Sequence, residues 1–133
     1  MSSTPDRRVS SASRIALAIA AVAVGVACAT GGSLRQARSA EQSRDFDLAV
    51  AHYSRAVKAD PDNKEARAGL ERAKLRASEA HLGRGRRLFS QGKYDDAVVE
   101  LQVAYELSPA SEVIEADLRA ARASQRARLA APA

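Results

Sequence analysis

Two stretches of this chain align without a gap, Arg44–Pro61 (RDFDLAVAHYSRAVKADP) and Gly92–Pro109 (GKYDDAVVELQVAYELSP), and their closing prolines stand 48 residues apart. Self-similarity at a fixed period is the mark of a fold built from one supersecondary unit used again, each copy burying its apolar face against its neighbour. Phe46 aligns with Tyr94, Asp47 with Asp95, Ala49 with Ala97, Val50 with Val98, Ala56 with Ala104 and Pro61 with Pro109. The order has a mechanical sense. An aromatic follows a tight turn, and an acid in the first helical turn complements the helix dipole. A small Ala then admits a neighbouring helix. A large residue four positions on (Tyr53, Leu101) and a second Ala three beyond it (Ala56, Ala104) fall on the same face. Proline closes the unit because it cannot continue the hydrogen-bond ladder.

The spacing of Ala49, Tyr53, Ala56 and Pro61, and again of Ala97, Leu101, Ala104 and Pro109, resembles the second helix of a tetratricopeptide repeat (TPR). The first helix of the second copy places Gly85 at the family's small-residue position and Leu88 at the large apolar one, with Tyr94 opening the second helix. In the first copy Ala37 takes the small position and Ala40 is undersized for the large one. The resemblance implies an all-α fold of antiparallel helix pairs, about two repeats, at roughly 32–61 and 78–109.

A TPR is about 34 residues long, so the 48-residue spacing leaves a surplus in 62–77. That segment (KEARAGLERAKLRA) is helix-prone and meets no breaker before Leu88. The sequence therefore predicts a helical insertion at 62–77 fused to the next repeat, one helix from about Asn63 to Ser90, with Asp62 or Asn63 as N-cap. After Pro109, Ser111 predicts the start of a capping helix over 111–129, whose Val113, Ala116, Leu118 and Ala120–Ala121 would cover the second repeat. The TPR-like domain spans 33–130 and leaves a tail at 131–133. Ala, Leu and five aromatics make a thin core, so close helix approach has to hold it together. TPR units are usually stable only in threes. Two repeats and a cap predict a loosely folded chain, one that self-associates, or one completed by a partner.

The first 27 residues read as an address. Arg7, Arg8 and Arg14 precede thirteen apolar residues, Ile15 to Ala27. A helix that long spans about 20 Å, short of the roughly 30 Å hydrocarbon core of a bilayer. A basic start, a short apolar run and small residues at its end describe a signal peptide. The single cysteine follows in Gly25-Val26-Ala27-Cys28, which resembles a bacterial lipobox. The resemblance implies cleavage before Cys28, a lipid on its thiol, membrane attachment through that lipid, a short linker at 28–32, and, with Ala29 next, sorting to the outer membrane. An uncleaved anchor is the alternative, since no charge falls from Ile15 through Leu34. Removing 1–27 takes Lys plus Arg from 21 to 18 and Asp plus Glu from 16 to 15, leaving +3. So small a charge gives no argument for a polyanion partner.

No set of residues at catalytic spacing appears, and neither His52 nor His81 has partners at metal-ligand spacing. Gly83-x-Gly85 continues a helix, so it reads as a close-approach site and not a dinucleotide loop. The carboxylates are spread along the helices, as solvated faces require. No catalytic group, cofactor, metal or nucleic acid is expected. Arg84, Arg86 and Arg87 have no interleaved aromatics for base stacking. TPR domains hold peptides or helices in a groove lined by the first helix of each repeat, and the resemblance assigns equivalent groove positions to Leu34 and Leu82 and to Arg38 and Arg86. Two matched Arg suit an acidic segment; equally, they solvate an Ala-rich helix. The sequence thus predicts a non-enzymatic protein–protein interaction scaffold in the bacterial cell envelope, lipid-anchored and facing the periplasm, that aids assembly of an outer-membrane or secretion complex. The alternative is the truncated N-terminal TPR region of a secretin-type secretion pore protein.

Overall fold

The structure, a computed structural model, describes residues 31–131. Cys28, the signal sequence and Pro132 lie outside them. The described residues are all-α. Helix α1 covers 31–42, α2 is Phe46–Ala59, α3 is Lys64–Ser90, α4 is Tyr94–Leu107 and α5 is Glu112–Ala130. Gly31 and Gly32, placed in a linker by the sequence, already belong to α1. The stretch 62–77 does not end at a boundary of its own. It runs into 78–90 as a single 27-residue helix, about 40 Å long at 1.5 Å per residue.

Local chemistry sets each boundary, and it does so twice at the same spacing. Helix α1 ends with Asp45 N–H donating to Ala40 O (2.9 Å) and Arg44 N–H to Glu41 O (3.0 Å); forty-eight residues on, Lys93 N–H donates to Leu88 O and Gly92 N–H to Phe89 O, both at 3.0 Å. This is a Schellman motif, whose pivot takes the left-handed conformation. Gly92 does so at φ 72° and Arg44, with a full side chain, at φ 60°. The second turns match as well. Asn63 Oδ1 accepts from Ala66 N–H to start α3, and Ser111 Oγ from Ile114 N–H to start α5.

The 48-residue register therefore extends past the two prolines. The first half of α3 stands to the first repeat as α5 stands to the second, because Asn63, Ala66, Leu70 and Ala73 correspond to Ser111, Ile114, Leu118 and Ala121. All of these apolar positions are buried or packed on a core cluster. Each unit is thus three helical segments, and α3 serves as the last segment of one and the first of the next. The covering face of α5 is Ile114, Leu118 and Ala121, at i, i+4 and i+7. The sequence assigned Val113, Ala116 and Ala120 to this face along with Leu118 and Ala121, but those three are exposed, because the face starts at Ile114, one residue on.

Two large side chains centre the two cores. Tyr53, 1% exposed, packs with Ala37, Ala40, Ala49 and Ala73. Leu101, also 1% exposed, packs with Leu118 and Ala121. Glycine in α3 is what lets both approach. A Cβ on Gly69 would lie 2.3–2.7 Å from the Tyr53 ring, and one on Gly85 would lie 2.6 Å from Leu101 Cγ. Ala56 and Ala104 are fully buried below them, as is Ala97, while Pro61 and Pro109 sit exposed in the turns. Leu88 is half-buried, and Tyr94 leans on Phe89 with ring centroids 5.4 Å apart.

Candidate functional site

The four groove residues sit at equivalent places, but their side chains are engaged within the fold. Leu34 packs on the Tyr53 core and Leu82 on the Leu101 core. Arg38 of α1 pairs with Glu65 of α3 through Nε (2.9 Å) and its terminal nitrogen. Arg86 Nε of α3 donates to Asp117 of α5 at 2.6 Å. Each pair ties the first segment of a unit to its third. The Glu65 carboxylate, by hydrogen bond and then by charge, raises the Arg38 pKa further above its ordinary value. These guanidinium groups remain about half exposed, at 55% and 54%, yet an incoming acidic partner would have to compete with a carboxylate already in place.

A polar cluster that the sequence did not pick out lies between the units. His81 of α3 is 8% exposed. Its Nδ1 is 2.8 Å from Glu100 Oε2 of α4, and its Nε2 is 3.1 Å from Asp47 Oδ1 of α2. Arg84 Nε donates to the same Glu100 oxygen at 2.9 Å. Burial pushes the Glu100 carboxyl up, but the bonds from Arg84 and His81 outweigh it, so its pKa lies below the ordinary value. The cluster joins α2 of the first unit to α4 of the second through α3. His52 of α2 is half-buried, and its Nδ1 is enclosed without a hydrogen-bond partner among the described residues. Among the described residues no group of His, Cys, Asp and Glu is placed to hold a metal ion, and no helix is long and apolar enough to cross a membrane.

A cleft of about 720 Å³ opens where the α1–α2 turn meets the middle of α3, lined by Glu41, Gln42, Arg44, Phe46, Arg72, Arg76, Glu79 and Ala80. Inside it Glu41 Oε2 accepts from the Tyr53 hydroxyl at 2.6 Å and lies 3.5 Å from Arg72. Burial first, and then the bond to Glu41, raises the Tyr53 pKa to about 12. A smaller hollow beside it shares Arg44 and Phe46 and adds Asp45, Asp47 and Arg84. None of the four groove residues lines either hollow.

The interhelical carboxylates are thus not merely solvating. Glu41, Glu65, Asp95, Glu100 and Asp117 each meet a cation from another helix or from the far side of a unit. No protein-family model, curated protein or solved structure matches the chain.

Proposed function

We propose that this chain is a non-enzymatic holding module of the bacterial cell envelope, built from TPR-like helix pairs and tethered by a lipid on Cys28. The observation that carries the reading is the repeated helical frame. Stacked helical units of this kind offer an extended face for another protein, with each unit contributing side chains at equivalent places. Arg38 and Arg72 bridge α1 and α3, Arg86 bridges α3 and α5, and a cleft opens at the α1–α2 turn; these polar surfaces are what the reading offers to a partner. The tether rests on Gly25-Val26-Ala27-Cys28 after thirteen apolar residues. Assembly of an outer-membrane or secretion complex is the role that combines the two.

The test has two arms in the native host. Mass spectrometry of the mature N-terminus should find diacylglyceryl cysteine, and Cys28→Ser should release the chain from the membrane fraction. Crosslinking in intact envelope, then capture in detergent, should return a defined envelope protein. A chain found unlipidated and crosslinked to nothing would sink the proposal.

A further inference from the structure

The 48-residue register allows each unit's surface to be compared with the other's, position by position. At the α1–α2 turn the two differ sharply. The second unit has Phe89, Gly92, Ala120 and Ser124 where the first has Glu41, Arg44, Arg72 and Arg76. In the second unit Phe89 lies against Tyr94 and packs on the Leu101 core. In the first unit Glu41, Arg44, Arg72 and Arg76 line the open 720 Å³ cleft, a size within the roughly 300–1,000 Å³ typical of ligand sites. The same backbone frame is closed by an aromatic in one unit and opened by charged residues in the other.

Arg44 adds an independent observation. It holds the left-handed pivot of a Schellman motif, where its counterpart is Gly92. That conformation is strained for a residue that carries a Cβ, and strain kept at a surface position points to a use for the side chain. Arg44 lines both hollows and makes no ion pair among the described residues, whereas Arg72 meets Glu41 at 3.5 Å and Arg76 meets Glu79 only at 3.7 Å. Phe46, half-buried, supplies an apolar wall beside these cations.

We infer that this cleft is the docking site for an acidic protein segment, with Arg44 and Arg76 taking its carboxylates and Phe46 an adjoining apolar side chain. A guanidinium pair binds carboxylates through charge-assisted bonds, and an apolar side chain in the same lining favours a peptide over a bare anion. The inference rests on the holding function proposed above and moves its contact point from Arg38 and Arg86 to the α1–α2 turn.

Arg44→Gly with Arg76→Ser places the second unit's residues at two of the four differing positions, and glycine suits the left-handed pivot, so the double variant should fold. The experiment uses the full chain in neutral detergent micelles and a short fluorescein-labelled peptide alternating glutamate and phenylalanine, read by anisotropy. Expected are saturable binding, about tenfold weaker in the double variant, as for the loss of one or two charge-assisted bonds. The double variant's melting temperature should be unchanged or higher. The same peptide with glutamine for glutamate should bind no better than the double variant does. Equal binding by the parent chain and the double variant overturns the site. So does parent-chain binding of the glutamine peptide as tight as that of the acidic one, or double-variant loss confined to micelles doped with phosphatidylglycerol. Envelope crosslinking separates the two readings. A partner still captured by the double variant leaves the holding function standing and removes the cleft, whereas no capture by the parent chain removes the holding function.

Discussion

Three glycines of α3 carry opposite stakes. Gly69 faces the Tyr53 ring and Gly85 faces Leu101, while Gly83 meets only the tip of Arg87 at 3.5 Å. Alanine gains about 1 kcal/mol of helix propensity at any of them. At Gly83 that gain should appear nearly whole, raising the melting temperature. At Gly69 the ring is rigid and enclosed, and overpacking of about 1–3 kcal/mol outweighs it; Gly69→Ala should melt lower than the parent chain, and a higher melting point would refute the close packing described. Tyr53 also sets a pH limit. Its folded pKa is raised from 10.0 to about 12, so between those values the folded chain keeps a proton that the unfolded chain has lost. Stability is full below pH 10 and falls as pH rises through that window. Thermal melts at pH 9 and pH 11 should show a drop that Tyr53→Phe reduces. Alternating small and large residues made this core legible in the sequence, and Tyr53 and Leu101 could be read from the repeat. The Gly69 contact could not, because it pairs a residue of one unit with what the TPR length sets aside as surplus.

At the level of the helices, start signals were the most readable feature and register the least. Asn63 and Ser111 announce their helices by residue type, since each side chain accepts an otherwise orphaned N–H. The missed face of α5 shows the limit. Its Ala-rich sequence offers several apolar stripes a residue apart, and only packing against Leu101 selects Ile114, Leu118 and Ala121. The repeat frame exposes one unfilled cap. Asp45 accepts from Leu48 N–H at the start of α2, whereas Lys93, at the matching place before α4, makes no such bond. Lys93→Asp should therefore stabilise the chain, and Asp45→Ala should destabilise it, each by about 0.5–1 kcal/mol. Denaturant midpoints would check both, and a Lys93→Asp chain less stable than its parent would count against the shared frame.

Across the whole molecule the units are joined by α3 and by the His81 cluster, and that joint is where sequence reading had least purchase. His81, Asp47, Arg84 and Glu100 come from three helices, and none repeats at the matching place in the other unit except Asp47 as Asp95. No periodicity could have gathered them. If α3 is the coupling element, breaking it should part the units. Proline at exposed Glu79 removes a ladder bond and costs about 3 kcal/mol or more. Amide exchange in Glu79→Pro should then differ between 31–76 and 82–130, whereas the parent chain should protect both together; uniform loss of protection would argue against two separable units. A continuous helix has one more consequence, for changes in length. Each residue turns a helix by about 100° and advances it about 1.5 Å. One residue added or removed in α3 between the Tyr53 contact and the Leu101 contact would swing one unit about a quarter-turn around the other and tear the histidine joint apart. About seven, near two whole turns, would restore the phase. The helix is therefore a ruler as well as a link, and the spacing of the repeats is protected by rotation more than by distance.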